Sequence, residues 1–264
     1  MANEGELKLV RKAVEVLDVL SREREPTPAR IAEVIGEPRS SVYRLLASLQ
    51  RLDMVEPGAR RGTYRLGFHL LRLGTAVVSR FDERQLALPV MERIHDETGE
   101  TVFLCVRRGT QAVCIERIEG RRVQSLALTL GGALPLHAGA GSRVLLAAES
   151  REFWNEYVSS EPLERLTQST PVTPDELFPI LEDVRSSGVS VSDGDVTVGI
   201  AAVGVPIIDY RGVIRASLAI SGVQQNILGA GVRNEVRRLL IDGGREVSRG
   251  LGSELANEPI AKLG

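Results

Sequence analysis

The first 67 residues predict three amphipathic helices in close succession, and this order restricts the folds open to that part of the chain. The first helix is predicted over about residues 7–23 from apolar residues at helical spacing, namely Leu9, Ala13, Val16, Leu17 and Leu20. In the second helix Thr27 is the N-cap, Pro28 suits the first turn and Gly36 suits the C-cap. The third begins a few residues later and buries the face of Val42, Leu45, Leu46 and Leu49.

Two short strand-like runs follow the third helix. They are "MVEP" and "TYRLG", and the segment "GARRG" between them predicts a hairpin with a basic tip. Helix, short helix, tight turn, helix and hairpin is the order of a winged helix-turn-helix. We therefore expect a DNA-binding domain over residues 1–67, a linker helix over residues 68–81 and a second domain over residues 82–264.

The second domain mixes helices with antiparallel hairpins, which favours an α+β fold. Helices are predicted over about residues 83–98, through "RVLLAAES", from the capping box of Thr173 and Glu176, and over about residues 225–251. Strands are predicted on both sides of Gly109, over "RVQSLALTL", and in "IAAVGVPIID" and "VIRASLAIS".

The charge is divided unevenly along the chain. The 264 residues hold 33 Lys plus Arg and 35 Asp plus Glu, yet residues 1–80 sum to +4 and the remainder to −6. The basic charge of residues 1–80 suggests an anionic partner such as nucleic acid, although random drift of surface charge would give the same asymmetry. No apolar run approaches the roughly 18 residues of a membrane span and no secretory signal is visible, so we expect a cytoplasmic protein without membrane contact.

The segment from Arg39 to Arg65 holds six arginines and only two acids. A helix that enters the major groove needs small or hydrogen-bonding side chains at its N-terminal turns. The residues of this type are Arg39, Ser40, Ser41, Tyr43 and Arg44, and we expect them to contact DNA. Arg60 and Arg61 at the hairpin tip could enter a minor groove or straddle phosphates. The alternative to DNA binding is that these residues form an ordinary solvated helix face.

Three segments in this order and spacing resemble the IclR family of bacterial transcription regulators. They are "PRSSVYRLLASLQRLDMVE" with "TYRLG", "LPLHAGAGSRVLLA", and "GVSVSDGDVTVGIAAVGVPIIDYRGVIRASLAISG". The resemblance covers about residues 9–251. It implies an N-terminal winged helix-turn-helix and a C-terminal effector-binding domain with a GAF-like α/β fold. It also implies a dimer or tetramer on palindromic operators in double-stranded DNA, with a small organic acid as effector.

The glycine-rich "HAGAGSR" precedes a helix and so offers unpaired N–H groups to a carboxylate, although close packing of that helix on a sheet is the alternative reading. By resemblance, Ala140 and Gly141 contact the effector through their backbone, Asp195 lies where an acidic residue is usual, and Ser221 matches a serine of the effector site. Leu134 is expected on the apolar wall. Ala202 and Ala219 replace a frequent cysteine and a serine, which favours an aromatic or longer acid.

No metal or cofactor is expected, because His69, His95 and His137 stand at no metal-ligand spacing with Cys or acidic residues. The two cysteines, Cys105 and Cys114, are predicted cross-strand neighbours, either as small core residues or as a redox pair. An enzyme would have to use His137, Ser142 and Asp195. No G-x-S-x-G motif supports that alternative. A purely architectural DNA binder would leave the acidic second domain without a role.

Overall fold

The structure is a computed structural model that describes residues 8–78, 82–121, 127–160 and 162–262. The chain divides into two compact units, Met1–Arg80 and Phe81–Gly264. Helix α4, Phe68–Val78, corresponds to the predicted linker helix and lies within the first unit. The division into residues 1–67, 68–81 and 82–264 stays a prediction.

The first unit contains the three predicted helices. They are α1, Lys8–Arg22, α2, Pro28–Ile35, and α3, Arg39–Arg51. The Thr27 hydroxyl accepts a hydrogen bond from the N–H of Arg30, and Gly36 adopts a left-handed φ of 67° that ends α2. The core of the unit consists of apolar side chains from all three helices and the first strand, among them Val16, Leu20, Ile31, Val42, Leu46 and Val55.

A two-stranded hairpin follows α3. Strand β1, Val55–Pro57, pairs antiparallel with β2, Tyr64–Leu66. The hairpin is tied to the loop between α1 and α2, because Tyr64 donates its N–H to the carbonyl of Pro26 and Ala59 donates its N–H to the Glu25 carboxylate. The predicted winged helix-turn-helix is confirmed.

The second unit is built on one six-stranded antiparallel sheet. Its strands are β3, Thr101–Arg108, β4, Gln111–Ile118, β5, Ala133–Pro135, β6, Ser190–Asp193, β7, Ile200–Ile208, and β8, Ile214–Val223. The spatial order is β5-β4-β3-β8-β7-β6. Alternate residues of each strand point to opposite faces, so β3 sends Leu104 to one apolar core and Phe103 to the other.

Helices cover both faces of this sheet. On one face lie α5, Asp82–Thr98, α9, Gln224–Leu228, and α10, Arg233–Gly250. On the other face lie α6, Ala140–Ala147, α7, Arg151–Ser160, α8, Pro174–Ser187, and a short 3₁₀ turn, Ile260–Lys262. The capping box at the start of α8 is confirmed, since Thr173 and Glu176 bond reciprocally. The predicted α+β class is confirmed.

Three predictions about elements need correction. The predicted strand over residues 122–130 lies partly outside the described residues, and its described part, residues 127–130, is not a strand; Ala133–Pro135 pairs with β4 instead. Helix α7 and strand β6 were not predicted. The single C-terminal helix is two helices, because the chain turns at Gly229 and restarts at Arg233.

Candidate DNA interface and ligand cavity

Helix α3 presents an exposed polar and basic face to solvent. Arg39, Ser40, Tyr43 and Arg44 are exposed, and Ser41 is half-buried. The side chains beneath them, Val42, Leu45, Leu46 and Leu49, are buried and fix the rotation of the helix. Among the described residues no carboxylate pairs with Arg39 or Arg44, whereas Arg30 on α2 pairs with both Glu23 and Glu33. Arg44 is therefore free to bind an anion.

The hairpin tip carries a second pair of free arginines. Arg60 and Arg61 are exposed, and neither pairs with a carboxylate in the part of the chain that the structure describes. The tip is held by Thr63, whose hydroxyl donates to the carbonyl of Arg60 at 2.7 Å. Arg51 and Ser48 are also exposed on α3, where the Arg51 guanidinium donates to the Ser48 hydroxyl at 3.4 Å; neither was among the predicted DNA contacts.

In the second unit a cavity lies between the sheet and the start of α6. It encloses about 560 Å³, counting the part open to solvent. Six residues predicted for an effector site line it together: Leu134, Ala140, Gly141, Ala202, Ala219 and Ser221. The lining also includes Ser142, from the glycine-rich turn predicted to bind a carboxylate, and Phe103, Cys105, Leu128 and Thr197, which were not predicted there. The period-two pattern of "TVFLCV" could have placed Phe103 and Cys105 on one face.

The start of α6 offers hydrogen-bond donors to this cavity. Gly139 at the N-cap has a φ of 85° and supplies no side-chain cap. The first intrahelical bond runs from the N–H of Arg143 to the carbonyl of Gly139 at 3.1 Å. The N–H groups of Ala140, Gly141 and Ser142 consequently have no acceptor within the helix, which suits an anion.

Asp195 is the seventh residue predicted for the effector site. It is buried and does not belong to the described cavity lining. One carboxylate oxygen accepts from the guanidinium of Arg143 at 2.7 Å and from the N–H of Gly139 at 3.1 Å, while the other accepts from the hydroxyl of Ser192. Burial lowers the pKa of Arg143, and the Asp195 carboxylate opposes that shift. Asp195 thus holds the loop that begins α6.

His137 is buried beside the same loop but forms no catalytic arrangement with Ser142 or Asp195. Its Nε2–H donates to the carbonyl of Glu164 at 2.8 Å, and its Nδ1 accepts from the hydroxyl of Tyr157 at 2.8 Å. Both ring nitrogens are therefore occupied by structural partners. Among the described residues no group of His, Cys, Asp and Glu could hold a metal ion.

Protonation of His137 should destabilise the second unit. Burial lowers the pKa of His137 below its usual 6.5, so below about pH 6.5 the unfolded chain binds a proton that the folded chain does not. The free energy of unfolding should fall as the pH drops from about 7.5 to about 5.5. Urea unfolding at both pH values tests this, with His137→Gln expected to show a weaker dependence than the parent protein. An equal slope in the two proteins would contradict the assignment.

The cysteines are cross-strand neighbours, as predicted. Cys105 on β3 pairs in register with Cys114 on β4, and both are buried free thiols. The Cys114 thiol donates to the carbonyl of Glu116 at 3.2 Å.

A winged helix-turn-helix with an exposed basic face on its third helix, followed by an α+β domain, is typical of two-domain transcription regulators. Residues 9–58 match the IclR helix-turn-helix domain, and residues 75–249 match the C-terminal domain of the bacterial transcriptional regulator IclR. The chain belongs to the IclR family of bacterial transcriptional regulators, as the sequence resemblance predicted.

Relatives and solved structures agree with this family. The chain is 30% identical to the transcriptional regulator KipR of Bacillus subtilis, over 82% of this chain and 86% of KipR. It is 29% identical to the transcriptional repressor AllR of Escherichia coli, over 81% of this chain and 79% of AllR. The crystal structure of the Thermotoga maritima IclR has a TM-score of 0.78 at 29% identity and covers 94% of this chain and 100% of that one.

One solved structure contains a ligand. An IclR homologue from Microbacterium hydrocarbonoxydans complexed with 4-hydroxybenzoate has a TM-score of 0.81 at 25% identity, covering 93% of this chain and 99% of that chain. The relatives are named as transcriptional regulators, which confirms the prediction that this chain is not an enzyme. Within the described ranges no helix is both long and apolar enough to cross a membrane.

Proposed function

We propose that this chain is a ligand-responsive regulator of a catabolic operon that acts in the cytoplasm. Helix α3 reads an inverted repeat in double-stranded DNA, and a small organic acid in the cavity beside α6 changes the DNA affinity. The unpaired N–H groups at the start of α6, facing a largely apolar cavity, are the observation that carries the ligand part of this proposal. Repressor and activator share this architecture.

The acid binds with its carboxylate at the N–H groups of Ala140 and Gly141 and its apolar body against Phe103, Leu128 and Leu134. The wall residues Ala202 and Ala219 are small and apolar, so they leave room for an aromatic or longer body. The Ser221 hydroxyl donates its hydrogen to the carbonyl of Ala201 at 3.0 Å, so toward the ligand its oxygen is an acceptor. Asp195 contributes by holding the loop rather than by contact with the ligand.

Self-association is proposed because one recognition helix covers too few base pairs for a specific site. Large apolar side chains are exposed on α1 and α4, namely Leu9, Val10, Val14, Phe68 and Leu71. Contiguous exposed apolar surface is a common site of protein–protein contact, and here a second copy of the chain is the proposed partner. We propose a homodimer or tetramer, and sedimentation at micromolar concentration should find no monomer. A monomer that binds operator DNA at full affinity would contradict it.

Titration calorimetry of the full chain with a panel of aliphatic and aromatic acids tests the ligand part. A Cβ on Gly141 would lie 3.1 Å from the Ser217 hydroxyl and 3.4 Å from the Ala219 Cβ, so Gly141→Val should displace the start of α6 and abolish binding. Gly231→Ala is the control, since nothing lies within 4 Å of its added Cβ. DNA binding should persist in both variants but respond to acid only in the control. Equal acid affinity in both would place the site elsewhere.

Arg44 and the hairpin-tip arginines, Arg60 and Arg61, should differ in their effects on DNA binding. Arg44→Ala should weaken operator binding by about 1–3 kcal/mol and relax specificity at one base, if the side chain forks onto a guanine. Arg60→Ala with Arg61→Ala should weaken binding to all sequences and reduce the salt slope by roughly one unit for each phosphate that is no longer neutralised.

Gel shifts on specific and nonspecific DNA over a range of salt distinguish these roles. Arg93→Ala is the control, because Arg93 lies on α5 in the second unit and pairs with Glu246. Equal loss of specific and nonspecific binding in Arg44→Ala would make Arg44 a phosphate-binding residue instead.

A further inference from the structure

Arg117 on β4 is a buried cation with unsatisfied hydrogen-bond donors. Its side chain is 7% exposed, and Nη1 donates to the carbonyl of Leu128 at 3.2 Å. Within the described structure Nε and Nη2 are buried and have no hydrogen-bond partner. Buried polar groups are rarely left without partners, because desolvation without a new hydrogen bond is unfavourable. Arg117 therefore has donors available for a further anion.

The charges around Arg117 do not satisfy these donors. Glu119 lies 3.6 Å from Nη2, beyond hydrogen-bond distance, and its side chain is 66% exposed. Glu116 accepts the backbone N–H of Arg117 through Oε1, while its Oε2 pairs with Arg84 at 2.6 Å. The Nε and Nη2 edge of a guanidinium offers two parallel N–H bonds, the geometry that a carboxylate accepts in bidentate fashion.

Arg117 does not belong to the described cavity lining, but it contacts two residues that do, Phe103 and Leu128, on the same face of the sheet as α6. In register across neighbouring strands lie Gly204, Ala219, Phe103 and Arg117. The start of α6 rests on the first two of these, and Phe103 comes next on the cavity wall. The guanidinium lies 5.7 Å from the centroid of the Phe103 ring, and its Leu128 acceptor also lines the cavity.

The row gives the spacing between the start of α6 and Arg117. Strands lie about 4.8 Å apart, so Arg117 is two strands, or roughly 10 Å, from Ala219 beneath the start of α6. Phe103 occupies the position between them and offers an apolar surface. A ligand held at the N–H groups of α6 and lying across Phe103 would bring its far end to Arg117.

We propose that Arg117 is a second anchor for the ligand and that the cavity selects dicarboxylates, with one carboxylate at the start of α6 and the other on Nε and Nη2 of Arg117. This inference rests on the proposed ligand site. The apolar body between the two carboxylates packs on Phe103. Monocarboxylates of the same length satisfy only one end and leave the buried guanidinium without its partner.

Calorimetric titration of the full chain with matched acid pairs tests the inference. The probes are the straight-chain dicarboxylates from butanedioate to octanedioate and the benzenedicarboxylates, each beside its monocarboxylate of equal length or ring. At least one dicarboxylate should bind roughly 10- to 100-fold more tightly than its partner, the range expected for hydrogen bonds to a charged group. Arg117→Gln should remove this preference and leave the monocarboxylate affinity within about threefold.

Two further variants separate binding from structural support. Arg117→Lys keeps the charge but lacks the paired N–H geometry, so it should retain only part of the preference. Arg93→Gln, on the other face of the sheet, should keep all of it.

Equal affinity for both members of every pair would overturn the role of Arg117 while leaving the proposed ligand site intact. Equal weakening of both acids in the Arg117 variants would reduce Arg117 to a support for Phe103 and Leu128. Failure of every acid to bind would overturn the proposed site as well.

Discussion

Asp195→Ala should destabilise the second unit by about 3–5 kcal/mol, because it leaves the Arg143 guanidinium buried without its counter-charge. Both side chains are 3% exposed and their nearest atoms are 2.7 Å apart. Arg143 would keep its bond to the carbonyl of Val191, but its Nε has no partner among the described residues. The N–H of Gly139 would also lose its acceptor, so the start of α6 should lose its fixed position.

Urea unfolding of the full chain measures this loss. Glu182→Ala is the matched control, since the pair of Glu182 with Arg151 is about half exposed and should contribute at most about 1 kcal/mol. Combining Asp195→Ala with Arg143→Met removes both charges and should recover part of the stability. If the single Asp195 variant is no less stable than the Glu182 variant, the buried ion pair contributes no more to stability than the exposed one.

Gly204→Ala should destabilise the second unit by about 1–3 kcal/mol and abolish acid binding. A Cβ at residue 204 would lie 2.9 Å from the carbonyl carbon of Ala140 and 2.9 Å from the backbone nitrogen of Gly141. These are backbone atoms, so no side-chain rotation can relieve the contact, and α6 must move away from β7. The N–H groups proposed to hold the carboxylate would move with it.

Gly231→Ala is again the control and should change stability by no more than about 0.5 kcal/mol. Thermal unfolding and calorimetric titration report the two effects separately. A Gly204→Ala protein that unfolds like the parent and binds acid with unchanged affinity would show that α6 does not need this close approach.

The sequence by itself determined the elements whose signals are local. Thr27 and Gly36 define both ends of α2, and the apolar spacing from Val42 to Leu49 predicts the buried face of α3. The capping box of Thr173 and Glu176 and the left-handed Gly109 turn also lie within a few residues of the bonds they make. Such signals survive without tertiary information because the interacting groups are neighbours in the chain.

Only the tertiary structure decided which groups share the cavity and which lie behind it. The sequence predicts Asp195 as a residue of the effector site, but in the structure its carboxylate accepts hydrogen bonds from Arg143, 52 residues away, and from the N–H of Gly139. Arg117 reads as an ordinary charged strand residue, yet the register of β4 with β3 places it over Phe103. The pairing of β5 with β4 is decided in the same way. Burial and strand register bring together residues far apart in the chain, and no local spacing encodes those distances.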